Sequence, residues 1–376
     1  GYGLSTLAKP LLYFANSWGV VLGVRFSDRL GKGIRSAPKD ALLSLSVSKE
    51  QRGLAFGIHR VGDTAGAFLG ILIAALIIWG TQSNPEVLSA QTFRIVALAS
   101  ILPAMLAVVV LALGAHDVAP STTPMTAAHP STTLNPSTSL NPSTTLRMHP
   151  ERSRRIERAD DGRSRRMPTE VGNSSTAAPT LSLKGLDRGF LIFLAITVIF
   201  TLGNSSDAFI ILLGKQRGLS VLGVMGMLLT FNAVYTLLAG PAGALSDRIG
   251  RRRLIVFGWL AYGLIYLGFS LAKTGAATWL FFGLYGVYYA LFEGASKAFI
   301  ADLVPPEQRG SAYGLYAAAV GLMAFPASLI AGLLWQGLGA WKGFGPSAPF
   351  LFGGGLALVA TLLFVIWMPE KIVAGD

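Results

Sequence analysis

The stretch KEQRGLAFG, residues 49–57, returns late in the chain as PEQRGSAYG, residues 306–314, at an offset of 257. Upstream, at the same offset and without a gap, DALLSL (40–45) aligns with KAFIAD (297–302). In both places a polar turn closes one apolar segment and opens the next. Two copies of one unit, in the same order and direction, predict a chain built from two halves related by a parallel duplication.

The composition around the repeat is oily. Hydrophobic residues make up 52% of the 376 residues and charged ones only 13%, and mean hydropathy is +0.54. A soluble domain carries about 25% charged residues. Apolar runs recur from end to end without the two-residue alternation of a transmembrane barrel, so the reading is an all-α, polytopic membrane protein. Ten spans are expected, near residues 1–16, 17–46, 53–79, 92–114, 187–213, 219–240, 254–272, 277–303, 310–336 and 348–368. There is no cysteine, and three of the four histidines fall between residues 116 and 149. This predicts no disulfide and no metal centre; no cofactor is expected, and without a catalytic cluster such as paired Asp or His-Glu at helical spacing the reading is no catalytic residues and no enzyme. The net charge of +12 includes seven arginines between Arg152 and Arg166. They read as a basic loop beside a membrane, with no nucleic acid as partner.

Between the fourth and fifth spans, residues 115–186 contain the repeat PSTTLN-PSTSLN-PSTTLR and the Arg-rich run. Such a segment buries no core and is expected to be a disordered linker. The domain plan is therefore 1–114, a linker over 115–186, and 187–376. With the linker inside, the short loops on that side carry seven Lys and Arg against four on the other. The linker thus reads as cytoplasmic.

The segment GPAGALSDRIGRRR (240–253) lies between two spans on that inner side. With the duplication, it resembles the major facilitator superfamily, whose inner loop reads G-x-L-a-D-R-x-G-R-R; Gly243, Leu245, Asp247, Arg248, Gly250, Arg251 and Arg252 fit. The resemblance implies a bundle of two parallel-repeat halves and transport by alternating access. It makes Gly243, Asp247, Arg248, Gly250, Arg251 and Arg252 a gating loop, with Asp247 accepting from the N-terminal end of a neighbouring helix. It also implies twelve spans. Two helices and a first copy of the loop are then expected before Gly1, so that residues 1–376 cover the third to twelfth helices.

VRFSDRLGKGIRSAPKDALL (24–43) carries seven charges in twenty residues. Its SDRLGKG resembles the loop motif, but the preceding glycine is out of step, and a next helix would have to fit between Ile34 and Ser48. Read as a helix, Arg25, Asp28, Arg29, Lys32, Arg35, Lys39 and Asp40 fall within an arc of about 140°. Facing lipid, each charge at the midplane would cost about 3 kcal/mol. The arc is therefore expected to face protein or water, with Arg35, Lys39 and Asp40 solvated at the inner interface. The next helix adds His59, Arg60 and Asp63, with Asp63 pairing with Arg60 or reaching Arg29 or Lys32. GIHRVGDTAGAFLG (57–70) resembles the superfamily's antiporter signature and departs from it at Ile71, where proline is expected.

The second half offers Asn204, Asp207, Asn232, Glu293 and Lys297, the last two at i, i+4 spacing that allows mutual neutralisation. Substrate-cavity candidates are Arg25, Asp28, Arg29, Lys32, Arg35, His59, Arg60, Asp63, Asn204, Asp207, Asn232, Glu293 and Lys297. Asp63 and Glu293 are the candidates for proton coupling. The surplus of bases in the first half points to a small anionic solute. The reading is a proton-coupled secondary transporter, monomeric, in a bacterial plasma membrane, with export favoured over import. The alternative is a membrane sensor or scaffold that has lost transport.

Overall fold

The computed structural model describes residues 9–13, 17–81, 88–114 and 186–368. The expected linker lies outside the described residues, apart from Leu186, and so does the first expected span, apart from a short 3₁₀ turn at Lys9–Leu12.

Eleven α-helices follow among the described residues. In the first half they are α1 (Trp18–Leu45), α2 (Arg52–Thr81), α3 (Ala90–Ala99) and α4 (Ile101–Gly114). In the second they are α5 (Arg188–Gly203), α6 (Ala208–Gln216), α7 (Val221–Ile249), α8 (Arg251–Leu271), α9 (Gly275–Leu303), α10 (Arg309–Gln336) and α11 (Ala348–Trp367). No named strand occurs among the described residues. Eight helical stretches are long and apolar enough to cross a membrane, and they match eight of the ten expected spans. The stretch 24–43 lies wholly inside the continuous helix α1, so it is no loop. Its charges keep α1 outside the apolar eight.

Helix starts follow from local chemistry. Ser220, Thr274 and Ser89 side chains accept from the N–H three residues on, and Asp187 accepts from Gly189. Each satisfies a donor that the first helical turn leaves open.

Two expected spans are interrupted. The fourth breaks at Ser100, where Pro103 has no N–H to give the carbonyl of Ala99. The fifth breaks over Asn204–Asp207, a run of side chains that bond their own backbone in preference to continuing a helix. The sixth span runs on to Ile249, so the expected loop over 241–253 is a correction: Gly243, Asp247 and Arg248 are helical. The turn is Gly250 alone, at φ +96°, a left-handed conformation that glycine adopts without a Cβ clash.

The interior is aromatic. Phe200 stacks on Trp259 at 4.9 Å between ring centroids, and Tyr262 stacks on Tyr266 at 3.9 Å. The outward faces carry Leu264, Leu271, Leu280, Leu322, Phe325 and Leu362, all exposed. An apolar exterior over a tightly packed core suits lipid, where dispersion and hydrogen bonds replace the hydrophobic effect between helices.

The duplication is visible in the contacts. Both copies of the repeat form a 3₁₀ turn followed by a helix that begins at the arginine, Arg52 or Arg309. Asp40 and Lys297 occupy equivalent positions, and they bind each other at 2.8 Å. Phe56 and Tyr313 are also equivalent and meet at 6.2 Å. Equivalent residues touch one another only at a twofold axis. These two pairs therefore mark the pseudo-axis between the halves. Away from it contacts come in duplicate: Arg52 donates to the carbonyl of Ala301 at 3.4 Å, and Arg309 donates to that of Ser44, the position equivalent to Ala301, at 3.1 Å.

Candidate functional site

The charged residues that face the pseudo-axis form two layers. The inner layer is built where α2 of the first half crosses α7 of the second. Glycine makes the crossing close: a Cβ on Gly57 would stand 2.5 Å from the carbonyl oxygen of Ala239, and one on Gly243 would run into the carbonyl of Gly53. This approach brings Asp247 to the start of α2. Its carboxylate accepts from Gly53 N at 2.9 Å and Leu54 N at 2.8 Å, two donors at the positive end of that helix. Arg251 holds the same carboxylate at 3.0 Å and also binds Asp302 and the carbonyl of Lys49. Asp302 in turn binds Arg52 at 3.0 Å. Arg252 donates to the carbonyls of Met368 and Val365 at the end of α11, and Arg248 is exposed. Asp302 completes this clasp and was not among the residues singled out from sequence.

The second layer lies eight residues further along α2, about 12 Å at 1.5 Å per residue. Arg60 on α2 binds Glu293 on α9. Glu293 stands 3.9 Å from Lys297, which binds Asp40 on α1 at 2.8 Å. On the other side, Arg60 is 3.6 Å from Asp63, which is 3.7 Å from His59 and 3.9 Å from Lys39 on α1. Lys39 precedes Asp40 in the chain, so the six charges close into a ring of three bases and three acids across both halves. Just beyond it Thr236 of α7 donates to Thr64 of α2 at 2.8 Å, and the Arg60 guanidinium lies 6.0 Å from the ring centroid of Tyr235.

Several expectations change here. Asp40 is 5% exposed, so it is no solvated interface residue, and Lys39 is half-buried beside it. Glu293 and Lys297 are closer to partners in the first half than to each other. Among described side chains Asp63 reaches across to Lys39, and Lys32 is exposed. The side chains of Arg25, Asp28 and Arg29 lie outside the described residues, and Arg35 is half-buried. Asn232 donates one amide N–H to the carbonyl of Leu228 in its own helix at 2.9 Å. Asn204 and Asp207 sit apart from the ring, in the break between α5 and α6. One signal for Asp40 was present in the sequence: it aligns with a lysine in the repeat, and opposite charges at equivalent positions can meet at the axis. Among the described residues no group of three or more His, Cys, Asp or Glu side chains is placed to hold a metal ion.

With this geometry, similarity to known proteins becomes informative. Residues 189–374 match the Major Facilitator Superfamily. An uncharacterized MFS-type transporter of Methanocaldococcus jannaschii is 30% identical over 371 residues, which is 97% of this chain and 76% of that protein. The chain belongs to the major facilitator superfamily. It is a multi-pass integral membrane protein of a transporter family. Shorter similarities run to the multidrug resistance protein 2 of Bacillus subtilis, 31% identical over 39% of this chain and 36% of that protein. A further one is to a Na(+), Li(+), K(+)/H(+) antiporter of Planococcus maritimus, 32% identical over 25% of this chain and 24% of that protein.

Proposed function

We propose that this chain is a secondary transporter of a small anionic solute, working by alternating access and coupled to protons through Glu293 and Asp63. Its halves are residues 1–114 and 187–376, joined by a cytoplasmic linker over 115–186. A single copy in the plasma membrane is the working unit. The observation that carries the reading is the ring, in which each half supplies charges that the other neutralises: Arg60 to Glu293 and Lys297 to Asp40. Rocking the halves apart breaks both pairs. Removing one partner from a buried pair costs about 3–5 kcal/mol, and less for the part-buried Arg60–Glu293 pair, so ionised and separated is a poor state. A proton on Glu293 removes its charge, and Arg60 keeps Asp63 on its own helix at 3.6 Å, so this pair parts at lower cost while the Lys297–Asp40 pair still opposes separation. The clasp around Asp247 closes the cytoplasmic side in the same state.

The anionic solute rests on α1, where Arg25, Arg29, Lys32 and Arg35 outnumber Asp28. Export is the favoured direction, in keeping with the similarity to a protein named for multidrug resistance. Proton coupling is in keeping with the similarity to a cation/proton antiporter. The test is reconstitution into proteoliposomes with a panel of small organic anions, with and without an imposed pH gradient. Accumulation should follow the gradient in the parent. Glu293→Gln should still exchange labelled for unlabelled solute and should no longer accumulate it. A Glu293→Gln protein that accumulates solute as the parent does would overturn the coupling.

A further inference from the structure

We propose that Tyr235 is the positioning residue that receives Glu293 when the halves part, its hydroxyl taking the place of the Arg60 guanidinium on the Glu293 carboxyl. This rests on the reading above, in which the Arg60–Glu293 pair opens as access alternates. Tyr235 lies on α7 where it meets α2. It is only 4% exposed, with the Arg60 guanidinium 6.0 Å from its ring centroid. On α9 it packs against Tyr289, at 5.4 Å between ring centroids, and Ala290. Glu293 follows these two by one helical turn, and Arg60 is bound to it. The Tyr235 hydroxyl therefore stands among the groups of the second layer, yet it is buried with no hydrogen-bond partner. A buried hydroxyl left unmatched is rare in native structures and costly to leave so.

Three acceptors face that hydroxyl: the carboxyl groups of Glu293 and Asp63 and the hydroxyl of Tyr289. Tyr289 is bonded to Tyr285 of its own helix. It belongs to the same half as Tyr235, so a rocking motion between the halves brings it no nearer. Asp63 leaves with the first half, where Arg60, His59 and Lys39 keep it. Glu293 alone both stays beside Tyr235 and loses a partner. Its Oε1 then keeps Lys297, 3.9 Å away on the same helix, and the position of the guanidinium falls vacant. The carboxyl group accepts from the Tyr235 hydroxyl with or without its proton, because a protonated acid still has a carbonyl oxygen. The hydroxyl is unmatched when the halves are closed and matched when they part, so Tyr235 lowers the cost of separating Glu293 from Arg60.

The test is alkylation of a Val61→Cys reporter by N-ethylmaleimide in the full chain, at one pH. Val61 packs against Gly240 in the α2–α7 contact and the chain has no other cysteine, so the rate follows the parted fraction. Tyr235→Phe removes no hydrogen bond from the closed arrangement. It should melt like the parent and slow the reporter about fivefold, the equivalent of one neutral hydrogen bond. Glu293→Leu should speed the reporter, and adding Tyr235→Phe to it should change the rate by no more than about twofold. Glu293→Gln keeps a carbonyl acceptor, so in that background Tyr235→Phe should slow the reporter as it does in the parent. A tyrosine that served packing alone would act equally in all three backgrounds. A Glu293→Leu rate equal to the parent's overturns the reading that this pair opens with the halves, and the role of Tyr235 with it. Where Glu293→Leu does speed the reporter, a Tyr235→Phe rate equal to the parent's overturns the role of Tyr235 alone, and so does equal slowing in the Glu293→Leu background.

Discussion

Replacing Asp247 with alanine tests the clasp directly. In the closed arrangement its carboxylate takes the N–H groups of Gly53 and Leu54 at 2.9 and 2.8 Å. Those donors have no partner within α2, because a helix leaves its first four N–H groups open. A hydrogen bond to a charged group contributes about 1.5–3 kcal/mol. Taking the lower figure for each, because this end of the bundle lies near water, the pair contributes about 3 kcal/mol. Arg251 loses one partner and keeps Asp302, so no further amount is added for it. If α2 and α7 separate when the inner side opens, both bonds exist only in the closed state. Asp247→Ala should then raise the open-to-closed ratio by about a hundredfold, at a factor of ten per 1.4 kcal/mol.

The chain has no cysteine, so a single Val61→Cys reporter can be read without background. Val61 packs against Gly240 in the α2–α7 contact, where a Cβ on the glycine would stand 3.7 Å from it. Its alkylation by N-ethylmaleimide should be slow in the parent, faster by up to two orders of magnitude with Asp247→Ala, and intermediate with Asp247→Asn, which keeps one acceptor oxygen. An alkylation rate within threefold of the parent would refute the idea that these bonds hold the inner side shut.

Three further outcomes follow from the same contacts. Gly243→Ala places a Cβ against the backbone of Gly53 and should push α2 from α7, lowering the melting temperature and exposing the Val61→Cys reporter. Lys297→Met strands the buried Asp40 and should cost about 3–5 kcal/mol in a denaturation assay, whereas the double variant with Asp40→Asn should recover most of the loss. Asp302→Asn removes the carboxylate shared by Arg52 and Arg251 and should accelerate the same reporter, though less than Asp247→Ala does, because the bonds from Gly53 and Leu54 remain.

The repeat, the spans and the helical character of residues 24–43 were legible because each rests on local pattern: a gapless echo, apolar runs, and a charge arc with the helical period. The ring contacts within one helix, Arg60 to Asp63 and Lys297 to Glu293, follow the expected spacing; those between helices were not legible, because they depend on which helices cross at the axis. Lys297 reads as a partner for Glu293 four residues away, a short-range rule that holds on an isolated helix. Packing α1 against α9 adds Asp40 at 2.8 Å, closer than Glu293 at 3.9 Å. Asn232 illustrates the converse. A polar residue in an apolar helix invites a functional reading, and here one amide N–H bonds the carbonyl of Leu228 within the same helix. The break after Gly203 is carried by Asn-Ser-Ser-Asp, four side chains that favour turns inside an otherwise apolar expected span.

The duplication also explains why the clasp is lopsided. Arg52 and Arg309 are equivalent, and each reaches across the axis to an equivalent carbonyl, that of Ala301 or Ser44. The next position in the second half is Asp302, which binds Arg52 at 3.0 Å. Its counterpart in the first half is Leu45, which offers Arg309 no charge. Two arginines in the same backbone setting are thus held differently, one by a carboxylate and one by a carbonyl. Both bonds have a charged donor, but only the carboxylate adds an opposite charge to attract it. The two sides of the pseudo-axis therefore do not loosen together. Near Arg309, the contact between α10 and the inner end of α1 should give way before the one anchored by Arg52. Leu45→Asp would supply Arg309 with the missing carboxylate. If the asymmetry sets the order of opening, that substitution should slow a cysteine reporter placed at Ala37, which faces Gly314 across the same contact, and leave the reporter at Val61 unchanged.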